Sequence, residues 1–76
     1  MRLTEVPVGR RVRLRAAAAD ASALIRLREI GIHPGATGIV VQRTGFGGRV
    51  LALGAGRVAV DAETARSLEV DLEDPS

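Results

Sequence analysis

His33 is the only imidazole in this 76-residue chain, and it follows Glu29 by four residues. On an unbroken helix that spacing puts two metal-binding groups on one face. Gly31 lies between them, however, and glycine at that point predicts the end of a helix. Metal centres of the structural and catalytic kinds use three or four ligands, and the chain has no cysteine and no second histidine to complete one. Glu29 and His33 are the one candidate metal pair. The simpler reading of His33 is a solvent-facing turn residue, and no cofactor is expected.

Other patterns suggest chemistry and fail on context. Gly54-Ala55-Gly56-Arg57-Val58-Ala59 has the form G-x-G-x-x-A. That motif needs a helix after the glycines to hold a pyrophosphate, and here Val58 and Val60 alternate as in a strand. Thr44 to Gly48 (TGFGG) lacks the lysine of a phosphate loop and also precedes a strand. No nucleophile stands near a base, so the chain is not expected to be an enzyme.

Eleven basic residues, all arginine, against nine acidic ones leave a formal charge of +2. Arg11, Arg13 and Arg15 line one strand face as a possible phosphate-binding stripe. Residues 1–15 hold five Arg and one Glu (net +4), and residues 61–76 hold six acids and one Arg (net −5). If the first and last strands pair, Glu69 and Asp71 neutralise the stripe. Phe46, the sole aromatic, offers no stacking platform for bases. A nucleic-acid partner is therefore not expected.

Apolar residues are the better candidates for contact. Phe46 sits at a glycine-rich tip, where it either folds onto the barrel rim or anchors a protein partner. Leu24, Ile25, Leu27 and Ile30 cannot all be buried by one short helix, so one of them shows apolar surface.

Elements that position these residues can be read from periodicity. Val12 and Leu14 alternate with arginines as a half-buried strand, and Ala16 to Ala19 reads as a connector. Asp20 or Ser22 caps a helix carrying Leu24, Leu27 and Ile30. Gly31 is placed to end it, with Ile32 packing back, and Pro34-Gly35 forms the following turn. Strands follow at 38–43, 49–53 and 57–60, then one helical turn capped by Asp61 over 62–67, and a last strand at 68–71. Residues 72–76 read as an acidic tail. The expected core is Val12, Leu14, Leu24, Leu27, Ile30, Ile32, Ile39, Val41, Val50, Val58, Val60, Leu68 and Val70. The fold class is mainly β: a small SH3-like barrel of about five antiparallel strands with one inserted α-helix and a short helical turn.

In order along the chain, Leu3-x-x-Val6-x-x-Gly9, RLREIGIHPG at 26–35, Gly47-Gly48-Arg49-Val50, Gly56-Arg57-Val58-Ala59-Val60 and Ala65 with Leu68-Glu69-Val70 resemble the bacterial ferrous iron transport protein A family, FeoA. The resemblance runs from about Leu3 to Val70. It implies an SH3-like domain over 1–71 in a small cytoplasmic protein without catalytic residues. It also implies an accessory or regulatory role in Fe(II) uptake, through the cytosolic part of a large membrane GTPase, ferrous iron transport protein B. The partner-contact residues it points to are Leu24, Ile25 and Leu27 on the helix. Phe46 joins them on the strength of its place at the tip. Gly31, Pro34 and Gly35 match the family motif as structural turn residues. The module is also similar to the C-terminal domain of iron-dependent repressors of the diphtheria-toxin-repressor type. A nucleic-acid-binding or iron-regulatory module is thus the first alternative, and direct Fe(II) binding the second. No membrane insertion is expected, and an open strand edge would permit self-association.

Overall fold

The computed structural model describes residues 1–73. Asp74 to Ser76 of the expected tail lie outside the described residues. The chain opens with a 3-10 turn, Leu3–Glu5. Leu3 and Val6, three residues apart, both reach the core and are fully buried. Strand β1 (Arg11–Ala17) follows, then α1 (Ala21–Glu29), β2 (Thr37–Arg43), a second 3-10 turn (Gly45–Gly47), β3 (Arg49–Leu53), β4 (Gly56–Val60), α2 (Ala62–Ser67) and β5 (Leu68–Glu73). The strands form one antiparallel sheet in the order β4-β3-β2-β1-β5.

β2 and β4 each begin one residue earlier than expected, and two boundaries differ by more. β1 runs on through Ala17, because a bulge at Arg15 lets Ala16 and Ala17 pair with Glu69 and Leu68. β5 runs on to Glu73, because Leu72 and Glu73 find partners in Val12 and Arg11. The expected pairing of first and last strands holds.

Both ends of α1 follow from local chemistry. The Asp20 carboxylate accepts a hydrogen bond from the Ala23 N–H at 2.8 Å, so it is the N-cap. At the other end Gly31 takes φ +91°, a conformation that costs glycine nothing. The Ile32 N–H then donates to the Leu27 carbonyl and the Gly31 N–H to the Arg28 carbonyl, the double bond of a Schellman motif. Next comes the turn His33–Ala36, closed by the Ala36 N–H on the His33 carbonyl, with Gly35 also at φ +91°. This turn is docked on β1. Gly35 donates to the Leu14 carbonyl and Leu14 donates to the Ala36 carbonyl, both at 2.8 Å. The exit of α1 is thereby pinned to the middle of the first strand.

The core comprises Leu3, Val6, Val12, Leu14, Leu27, Ile32, Val40, Leu51, Val60, Ala65, Leu68 and Val70. It departs from the expected set on β2 and β3. Ile39, Val41 and Val50 are only half-buried, and Val40 and Leu51 point inward instead. In Ile39-Val40-Val41 every residue is apolar, so alternation carries no phase. Partner strands set the phase, and a bulge at Val41 shifts the register between Val40 and Gln42. Val58 is also half-buried, packed against the core margin. Leu24 and Ile30 are exposed outright, since α1 lies on the barrel through Leu27 alone.

On β3 the inward parity that selects Leu51 also takes Arg49 inside, where it is 7% exposed. Its guanidinium donates to the carbonyls of Gly47 (2.8 Å), Gly48 (2.9 Å) and Thr4 (2.9 Å). One planar fork thus joins the N-terminal turn to the chain entering β3. Truncating it to methionine would strand those carbonyls, and a lysine cannot span three acceptors in one plane. Arg49→Met is expected to cost about 2–4 kcal/mol in denaturant unfolding, with Arg49→Lys recovering less than half of the loss.

Candidate functional site

A nine-residue helix that buries one side chain leaves most of its surface for something else. Leu27 is 9% exposed and belongs to the core, so it anchors α1. Leu24 (42% exposed), Ile25 (60%) and Ile30 (45%) are open to solvent, Ile25 on the outer face and Leu24 and Ile30 on opposite sides of Leu27. Ile25 stands where a surface helix would ordinarily be polar, with Leu24 and Ile30 on its two shoulders.

A recess lies on each side of α1. One, of about 120 Å³, is lined by Leu14, Ala17, Leu24, Arg28, Ile32, His33 and Pro34. The other is a groove of about 360 Å³ between α1 and α2, where Ala23, Arg26, Leu27 and Ile30 face Asp61, Thr64 and Ser67. Arg26 and Arg28 stand exposed on the two flanks and make no ion pair among the described residues. The site is an exposed apolar surface of α1 with a net cationic rim.

α2 closes the groove because Asp61 caps it. The Asp61 carboxylate accepts from the Thr64 N–H at 2.7 Å. Hydrogen bonding from Thr64, by side chain and then backbone, holds this carboxyl below its ordinary value of 3.8, with a smaller contribution from Arg66.

The remaining candidates fall into place around α1. His33 lines the smaller recess but turns Nδ1 to the Pro34 carbonyl oxygen, 3.1 Å away. Glu29 is exposed on the last turn of α1, and the helix ends at Ile30 before reaching His33. Among the described residues no three His, Cys, Asp or Glu side chains group together as metal ligands. Gly31, Pro34 and Gly35 form the turn that fixes the exit of α1. Phe46 lines neither recess. It is wholly exposed (102%) at the tip between β2 and β3, and its backbone sits in the left-handed region at φ 61°, ψ 21°. The arginine stripe is largely neutralised: Arg13 pairs with Glu73 at 2.7 Å and Arg15 with Asp71 at 3.7 Å. Glu69, expected to share in this, instead pairs with Arg2 and the amino terminus.

Sequence reasoning missed two site residues. Ile30 reads as core because it follows Leu27 by three. It lies at the C-cap, where the chain turns away from the barrel before a side chain there can be covered. Arg26 carried no signal of its own, because its place in the groove depends on α2, forty residues later in the chain.

The protein-family model for the FeoA domain matches residues 1–72. None of the curated proteins matches the chain. Among solved structures, the FeoA of Stenotrophomonas maltophilia is 30% identical, with a TM-score of 0.72, over 93% of this chain and 89% of that one. That structure holds zinc and is described as a procaryotic SH3 domain protein, proposed as a bacterial ferrous iron transport activating factor. The FeoA of Chlorobium tepidum is 22% identical with a TM-score of 0.85, covering 95% of this chain and 70% of that one. A crystal structure of an iron uptake regulatory protein, also FeoA, is 23% identical with a TM-score of 0.84, covering 96% of each chain. The SH3-like barrel is the shared fold.

Two measurements bear on the site's local chemistry. Phe46→Gly should stabilise the fold by about 0.5–1 kcal/mol in thermal unfolding, because glycine takes the left-handed conformation without a Cβ clash. The Asp61 cap contributes stability that is fully present above the ordinary carboxylate value. It is lost as pH falls through the lowered one. Melting temperatures measured from pH 6 down should therefore fall more steeply below about pH 4 in the parent than in Asp61→Asn, which caps at every pH.

Proposed function

The chain belongs to the FeoA family, which is associated with ferrous iron transport, and we propose that it is an accessory protein that binds the cytosolic part of a B-type membrane GTPase transporter and regulates Fe(II) uptake. The observation that carries the reading is the exposure of Leu24, Ile25 and Ile30 on α1 and its C-cap. Three large apolar side chains stand in water on a helix whose only buried residue is Leu27. Such a surface is covered by a partner in the functional state.

Charge narrows the partner's chemistry. Arg26 and Arg28 outnumber Glu29 on the exposed part of α1, so the complementary surface is apolar with a net acidic rim. The area is small, which fits a transient regulatory contact rather than a permanent complex. No helix among the described residues is long and apolar enough to cross a membrane. The protein acts by docking and carries no catalytic chemistry of its own in this reading.

The test is calorimetric titration with the soluble GTPase domain of the transporter in its nucleotide states. Binding is expected, and Leu24→Asp or Ile25→Asp should weaken it by about tenfold or more while the melting temperature changes by no more than a few degrees. Absence of heat in every nucleotide state, or binding indifferent to both substitutions, removes the proposal. The Arg26 and Arg28 rim should appear as an association rate that falls with added salt.

A further inference from the structure

The two edges of the sheet are treated differently, and the difference points to a second interface. At the β5 edge the chain covers itself. The Val70 N–H donates to the Met1 carbonyl at 2.7 Å, the Met1 amino group donates to the Val70 carbonyl at 3.0 Å, and Arg2 bridges to Glu69. That strand also carries Glu69, Asp71 and Glu73 and pairs with β1 across the bulge at Arg15. Charge, bulge and cover are the usual means by which an edge is kept from pairing.

β4 has neither bulge nor cover, and a single charge. It reads Gly56-Arg57-Val58-Ala59-Val60, with no proline and an unbroken register along β3 from Leu53↔Gly56 to Arg49↔Val60. The two-residue loop makes Leu53 and Gly56 a hydrogen-bonded pair, so the Val58 and Val60 backbones face β3. The backbone N–H and C=O of Arg57 and Ala59 therefore face outward. Both residues are exposed, and neither has a backbone partner in any turn or loop among the described residues.

The edge is also electrically polar along its length. Arg57 stands at its start and makes no ion pair among the described residues. Asp61 and Glu63 stand at its end, where Asp61 is still extended at φ −75°, ψ 172°. An antiparallel copy of such an edge brings the positive end of each strand to the negative end of the other. We propose that β4 pairs with β4 of a second copy of this chain about a two-fold axis at Ala59, so that Arg57 of each copy lies opposite Asp61 of the other. Two five-stranded sheets then become one of ten. In this register Ala59 meets its own counterpart with outward backbone groups on both sides, and no like charges face each other. A short strand pair buries well under the area of a stable dimer, so association is weak and depends on concentration.

The full chain, at concentrations from about 10 μM to 1 mM, should show a monomer–dimer equilibrium by sedimentation. Amide exchange at Arg57 and Ala59 should slow as the dimer fills, with no change at α1. Arg57→Glu should weaken the dimer roughly tenfold or more by placing acids against acids. The chain has no cysteine, so Ala59→Cys should cross-link under mild oxidation across a Cα separation of about 5.5 Å, well ahead of Phe46→Cys as a control. Leu24→Asp and Ile25→Asp should leave all of this unchanged, which separates the inference from transporter binding. A monomer throughout the range overturns it. So does a dimer abolished by Ile25→Asp with no advantage in cross-linking at Ala59. Protection of Arg57 and Ala59 only on adding the transporter's GTPase domain likewise overturns it and gives the edge to that partner.

Discussion

A guanidinium shut away from water with no carboxylate beside it must collect carbonyl oxygens, and Arg49 collects three. Those of Gly47 and Gly48 belong to the chain entering β3, and that of Thr4 belongs to the N-terminal turn forty-five residues earlier. This contact decides where the first residues of the chain lie. Leu3 and Val6, among the most deeply buried side chains, are in place because the turn between them is held against β3. With that turn in place, Met1 and Arg2 run along β5 and cover its edge. The burial of a charge is costly unless its hydrogen bonds are made, and here most are, with only Nε lacking a partner.

The helix depends on a second, smaller constraint. α1 is too short to be stable alone, and only Leu27 binds it to the barrel. The remainder of its anchorage is backbone chemistry: Asp20 at one end, the Gly31 motif at the other, and the Gly35 and Ala36 bonds to Leu14. Because the helix is held by its ends, its middle need not be buried. That is how Leu24 and Ile25 come to face solvent without unfolding the domain, and why the motif RLREIGIHPG is recognisable though it performs no chemistry. Its glycines and proline aim the helix.

Local signals in the chain were good guides where one residue's chemistry suffices. Asp61 as a cap, Gly31 as the helix terminator, the Pro34-Gly35 turn, and the alternation of Val12 and Leu14 were all legible, and the cap of α1 was narrowed to Asp20 or Ser22. So was the pairing of an arginine-rich first strand with an acidic last one. The ordered set of segments also carried the family. Reading failed in apolar runs. Ile39-Val40-Val41 and Val50-Leu51-Ala52-Leu53 contain no polar phase marker, and the choice of Val40 and Leu51 came from strand pairing and a bulge.

What the sequence determined alone was the element order, the caps and turns, the SH3-like class and the family, because each rests on interactions among residues near in the chain or on an ordered motif. Tertiary structure alone decided the rest. It took Arg49 inside, since burial of a strand residue follows the register of its neighbours. It placed Ile30 and Arg26 in a groove with Asp61 and Thr64, elements apart. It left Phe46 fully in water, and it covered one sheet edge while leaving β4 open. Each of these outcomes depends on contacts between segments distant in sequence, and periodicity within a segment carries no information about them.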